Sequence, residues 1–300
     1  MILLGEHAVV YDQPALAAGL SRGLTATARH GSGRLTVPAW KLEVAMHDDS
    51  PVARAFGAIL AHLDARDVDV TIEAELPARA GLGSSAAFAV SIARAVTMLR
   101  SPGRDHAAVM AAATEAEKVF HGTPSGIDLA AAASGEVGHF QRATGWRAVT
   151  VLQPMTLCVG LSGRPRDTHA QVDAVRRLRE RTPAARSVIE TMGALVGDGE
   201  RALGRGDIDE LGRLFDVAHG LLAALRVSTG ELEALVHAAR GAGAIGAKLT
   251  GAGGGGAVIA LAPGHERDVI RHWKEAGFDG FVATIGTPGT PGTPRESGLS

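Results

Sequence analysis

Residues 77–87 read "PARAGLGSSAA". Glycine alternates with leucine and serine, then the chain enters the apolar stretch "SSAAFAVSIARAVTML" at 84–99. This stretch predicts a helix that is apolar on most faces and deeply buried. Gly81 and Gly83 let the backbone approach a ligand or take positive φ. Ser84 and Ser85 then stand at the helix N-terminus, where the first amides have no intrahelical partner and the helix dipole is positive. Such an end attracts phosphate. A plain serine N-cap after a glycine turn explains the same residues. No lysine follows the glycines, so the stretch is not a Walker loop, and its spacing is not G-x-G-x-x-G.

Working outward, "MILL" predicts a buried strand, "LTATAR" and "RLTV" two more, and "VDVTIEAEL" (68–76) a half-buried one by its alternation. A second helix is expected at 105–121, a hairpin from "GEVGHF" and "WRAVTVL", and a strand at "MTLCVGL". The chain then turns helical at 168–181, 184–203, 207–225 and 229–240. "AIGAKLTGAGGGGAVIALA" reads as strand, glycine loop, strand, followed by a helix (264–276) and a last strand (280–285). Strands and helices mix without a repeating βα period, which favours α+β over a doubly wound sheet. The expected division is 1–153, 154–286 and a tail, 287–300, whose Gly-Thr-Pro repeats predict disorder.

The bulk composition excludes more than it assigns. A chain of 300 residues with 46% hydrophobic and 21% charged residues has an ordinary globular balance. A formal net charge of -2 gives no reason to expect nucleic acid or a membrane surface as partner. No run of 18 apolar residues predicts a transmembrane helix, and "MILLGEHAVVY" lacks the basic start of a signal peptide. The single cysteine, Cys158, excludes an internal disulfide and fits a cytoplasmic protein; in "TLCVGL" it reads as a small buried hydrophobe. An apolar face on the second-half helices is compatible with a homodimer.

Three further segments carry candidate chemistry. "KLTGAGGGGAVIAL" (248–261) places five glycines within 251–256, an entropic cost suited to backbone packed on a ligand or on a second loop. In "EAEKVFHGTPSGIDLAAAASG" (115–135), Glu117 and His121 share a helix face, and Asp128 follows a turn where Ser125 is expected to cap a short helix. A solvated charged face would look the same. The alternative is an acidic pair in which one carboxylate holds Mg²⁺ and the other handles a proton, as phosphoryl transfer requires. "GEHAVVY" (5–11) sets Glu6 and His7 at a strand end, where an exposed turn is the simpler reading.

Taken in order, "ILLGEHAVVYDQPALA", "AGLGSSAA", "HGTPSGID" and "AKLTGAGGGGAVIAL" resemble the GHMP kinases and, among them, the mevalonate kinases. The resemblance spans about residues 2–262. It implies two α+β halves, the first like domain 2 of ribosomal protein S5 and the second ferredoxin-like, with the active site between them. It implies transfer of the γ-phosphate of ATP-Mg²⁺ to the C5 hydroxyl of mevalonate. By motif position Gly81, Leu82, Gly83, Ser84, Ser85 and Ala86 would cradle the phosphates, Ser85 and Glu117 would hold Mg²⁺, and Asp128 would accept the proton. Glu6, His7 and Thr168 would face mevalonate, with Gly251, Ala252, Gly253, Gly254 and Gly255 lining the cleft.

Two departures from the family pattern matter. Arg79 stands where the family often has glycine. The family also carries a lysine seven residues before the histidine of the GEH motif, and counting back from His7 lands one residue before Met1. The expectation is a natural start upstream, with a lysine just before Met1. Two alternatives follow. One is a phosphomevalonate kinase or another GHMP small-molecule kinase, with Arg164 and Arg166 as candidates for an extra phosphate. The other is a non-catalytic ATP- or metabolite-binding protein.

Overall fold

The computed structural model describes residues 1–76, 82–100, 106–122, 125–165 and 167–286. Pro77, Arg79, Gly81, Arg166 and the tail 287–300 lie outside these residues. The first half contains β1 (Ile2–Leu4), β2 (Ala15–Ala18), β3 (Leu24–His30), β4 (Arg34–Val37), β5 (Leu42–Ala45), α1 (Pro51–His62), β6 (Val68–Ala74), α2 (Ser84–Arg100), α3 (His106–His121), α4 (Ile127–Ser134), β7 (Val137–Gln141) and β8 (Gly145–Ala148). One sheet has the order β1-β2-β7-β8 and is antiparallel throughout. The other, β3-β6-β4-β5, has one parallel pair, β4 with β6.

The alternation in β6 is realised: Val68, Val70 and Ile72 point into the core. There they share a cluster with α1, α2 and α3 through Phe56, Ile59, Phe88, Ile92, Val96 and Val109. Alanines at 86, 89, 93, 112, 113 and 116 belong to the same core. Small side chains let helix backbones approach closely, so a chain poor in aromatics still packs densely.

The second half runs β9 (Met155–Leu161), α5 (Thr168–Arg181), α6 (Pro183–Arg205), α7 (Ile208–Ala224), α8 (Gly230–Gly241), β10 (Gly246–Thr250), β11 (Ala257–Leu261), α9 (Glu266–Glu275) and β12 (Asp279–Ile285). Its sheet order is β10-β11-β9-β12, antiparallel throughout. This is the βαββαβ arrangement of a ferredoxin-like fold, with the first crossover expanded to four helices. Residues 153 and 154 fall between β8 and β9. The hydrophobic core runs across that point: Met1, Leu3, Leu4 and Leu16 share a cluster with Leu157, Leu195, Val196 and Leu203. Cys158 is buried in β9, and burial pushes its thiol up to about 12.

Three elements go beyond the expected set. The helix α1 starts with signals that were present in the chain, Ser50 accepting from the Ala53 amide at 3.1 Å and Pro51 in the first turn. β2 is one leucine among three alanines, all buried, with no alternation to mark them. β5 ends a short hairpin. Ser125 does not cap α4: the N-cap is Gly126, at φ 88°, and no side chain caps that end. Among the described residues no helix is long and apolar enough to cross a membrane.

Candidate active site

The glycine-serine stretch ends where α2 begins. Gly83 takes φ +78°, and its carbonyl accepts the first helical bond, from the Ala87 amide at 2.9 Å. Leu82 and Ala86 are buried. Ser84 and Ser85 are half-buried at the helix opening. A Cβ placed on Gly83 would lie 3.3 Å from Asp128 Oδ1, so the carboxylate stands against the loop. Asp128 sits in the first turn of α4, where the helix dipole favours its negative charge. A cavity of about 140 Å³ opens beside it, lined by Gly83, Ala87, Ser91 and Arg94 among others.

A second group forms between α2 and α3. The Ser85 hydroxyl lies 3.2 Å from His121 Nε2, which is 3.8 Å from Glu117 Oε2. The Ser85 hydroxyl also stands near enough to the Glu117 carboxyl to favour its charged form. Glu117 is buried, and its Oε1 has no hydrogen-bond partner. Burial, opposed by the Ser85 hydroxyl and reinforced by the Asp128 charge, pushes Glu117 from 4.5 up to about 7. An unsatisfied buried carboxylate oxygen beside a hydroxyl suits a hard divalent cation. Among the described residues no cluster of three or more His, Cys, Asp and Glu side chains forms a metal cage. The donor set therefore fits an ion whose remaining ligands are water and phosphate.

The GEH segment and the second glycine loop meet deep inside the molecule. Glu6 accepts from Lys248, and both side chains are fully buried. Lys248 also donates to the Leu249 carbonyl at 2.8 Å, while Glu6 Oε2 is buried without a hydrogen-bond partner. His7, at φ 59°, is buried with Nε2 2.9 Å from the Ala252 carbonyl oxygen. The Thr250 hydroxyl donates to the Ile2 carbonyl at 2.7 Å. Glu6, expected on the mevalonate side, is buried in this structure. Its charge is engaged by a lysine that cannot reach water, and the pair ties β1 to β10.

Gly253 and Gly255 are buried as well. A Cβ on Gly253 would lie 2.3 Å from the Val227 carbonyl, and one on Gly255 2.7 Å from the Arg164 carbonyl. These two glycines pack on neighbouring loops, while Gly251, Ala252 and Gly254 are half-buried. Thr168 opens α5, capped by Asp167, which accepts from the Ala170 amide at 3.0 Å. The adjacent His169 ring is 6.4 Å from the His121 ring, so the start of α5 abuts the Ser85–Glu117 group. Arg164 is committed to Glu231 at 3.2 Å.

In the sequence His121 stands out only as a neighbour of Glu117, and Lys248 has no visible link to Glu6. The i,i+4 spacing carried the first signal. Nothing local carried the second.

Comparison with known proteins bears on this geometry. Residues 50–136 match the GHMP kinases N terminal domain, and residues 200–279 match the GHMP kinases C terminal domain. A mevalonate kinase of Pyrococcus abyssi is 36% identical, with 92% of this chain and 90% of that protein covered. One from Methanothermobacter thermautotrophicus is 33% identical, covering 91% and 92%. The crystal structure of L. major mevalonate kinase in complex with R-mevalonate superposes with a TM-score of 0.85 at 28% identity, covering 95% of this chain and 93% of that one. Both halves, the order of their motifs and the juxtaposed carboxylates agree with one assignment: the chain belongs to the GHMP kinases, a family that uses ATP.

Proposed function

We propose that this protein transfers the γ-phosphoryl group of ATP to the C5 hydroxyl of mevalonate, giving 5-phosphomevalonate and ADP. The observation that carries the reading is the arrangement at the start of α2. Asp128 and the Ser85–Glu117 pair both converge on a helix N-terminus suited to phosphate. A proton acceptor, cation donors and an anion site are thereby brought together, which are the parts phosphoryl transfer needs. Mevalonate is favoured over other alcohols by the likeness to mevalonate kinases along most of the chain.

The backbone amides from Gly83 to Ala86, with Gly81, hold the phosphates. Ser85 and Glu117 hold Mg²⁺, which when bound neutralises phosphate charge. Asp128 takes the proton from the C5 hydroxyl as its oxygen bonds to the γ-phosphorus. The bond from that phosphorus to the β,γ-bridging oxygen breaks, and the electron pair leaves with ADP. His7 and Thr168 flank the alcohol, and Glu6 with Lys248 fixes the turn that carries His7.

The test is ADP release with ATP-Mg²⁺ and mevalonate, phosphomevalonate, galactose or homoserine. Mevalonate-dependent turnover, lowered by about 10²–10⁴-fold in Asp128→Asn, is expected. Turnover with phosphomevalonate alone would transfer the assignment to that substrate. ATP binding without turnover on any of the four would point to a non-catalytic binding protein.

A further inference from the structure

We propose that His121 is a positioning residue that acts through Ser85, holding the serine hydroxyl so that a lone pair faces the divalent cation. The inference rests on the reading of Ser85 and Glu117 as cation ligands. A hydroxyl that gives a lone pair to a cation must send its hydrogen elsewhere. Two acceptors stand near Ser85, the Glu117 carboxyl and His121 Nε2, and His121 Nε2 is the one within hydrogen-bond distance, at 3.2 Å. A carboxylate that itself binds the ion turns its lone pairs toward it, which leaves His121 Nε2 as the acceptor for the Ser85 hydrogen. The ring is well placed for this. It ends α3, one turn beyond Glu117, and so travels with the carboxylate while reaching across to α2. His169 of α5 flanks it from the second half. Outer groups that orient a ligand in this way commonly change metal affinity by about 10–100-fold.

Calorimetry of ATP binding, with Mg²⁺ and with EDTA, tests the assignment without turnover. The wild-type protein is expected to bind ATP more tightly with Mg²⁺. In His121→Ala that enhancement should fall about tenfold while metal-free ATP binds as before. His121→Gln, whose amide oxygen accepts a hydrogen, should recover part of it. Ser85→Ala combined with His121→Ala should lose no more than Ser85→Ala alone, because the two act as a unit. His121 is partly exposed at a helix end, and a thermal melt confirms that each variant is folded.

Full enhancement in His121→Ala, or additive losses in the double variant, would overturn the proposal. So would weaker metal-free ATP binding in His121→Ala, which would make the ring a phosphate ligand. An absence of Mg²⁺ enhancement in the wild type would overturn the cation site itself.

Discussion

Lys248 donates to Glu6 across the seam between the two halves, and neither side chain reaches solvent. Burial pushes the Glu6 carboxyl up and the Lys248 ammonium down, and their mutual attraction opposes both shifts. Lys248 Nζ also lies 5.9 Å from the centre of the Phe215 ring. Removing one partner strands a buried charge. Lys248→Met should therefore destabilise the protein by about 3–5 kcal/mol in urea unfolding. Glu6→Leu combined with Lys248→Met should recover most of that loss. A double variant as unstable as the single would show that the pair contributes packing no apolar side chains can replace.

Gly83 is held at φ +78° with Asp128 Oδ1 3.3 Å from where a Cβ would stand. Gly83→Ala should lower stability by about 1 kcal/mol through the backbone and reduce kcat about 100-fold by displacing the carboxylate. Asp128→Asn should lower kcat by about 10²–10⁴-fold with ATP affinity retained. Thermal melts and steady-state kinetics on the same preparations separate these effects. A Gly83→Ala enzyme that loses stability and kcat in other proportions would argue against the contact.

Glu117 titrates near 7 in the folded chain, against an ordinary 4.5. The folded state holds this proton more tightly than the unfolded chain. Its contribution is present in full below about 4.5 and is lost as pH rises to about 7 and beyond. The loss amounts to about 3 kcal/mol at most. Glu117→Gln should be more stable than the ligand-free wild type at pH 8, and the difference should close near pH 4.5. Mg²⁺-ATP binding near pH 7 should release a proton, visible as a buffer-dependent calorimetric heat that EDTA removes. Equal pH profiles for variant and wild type would refute the burial argument.

Gly253 tests whether the second glycine loop is a packing element. A Cβ there would meet the Val227 carbonyl oxygen at 2.3 Å, on a backbone at φ +75°. Gly253→Ala should cost more than the ~1 kcal/mol of a positive φ alone, because the neighbour is backbone and cannot swing aside. Guanidinium unfolding measures the difference. A loss no larger than that of a solvent-facing positive-φ glycine such as Gly264 replaced by alanine would show that the loop yields.

Much of this architecture was legible locally. The alternation of Val68, Val70 and Ile72, the apolar run of α2 and the glycines flanking β10 and β11 each report on neighbours within a turn or a pleat. The candidate site was legible as motifs: the loop at 81–87, Glu117 four residues before His121, and Asp128 after its turn. β2 is not legible because a short apolar run of one leucine and three alanines has no period of its own, and it forms a strand only between β1 and β7.

By itself, then, the sequence determined the α+β class, most element boundaries and a helix start suited to phosphate, since those follow from periodicity and from which backbone groups a helix leaves unpaired. Only the tertiary structure decided that Lys248 meets Glu6 across 242 residues, that His121 reaches Ser85, and that Gly126 caps α4. Such pairings depend on which segments burial brings together. A charge taken out of water must then find its partner among those segments, wherever they lie in the chain.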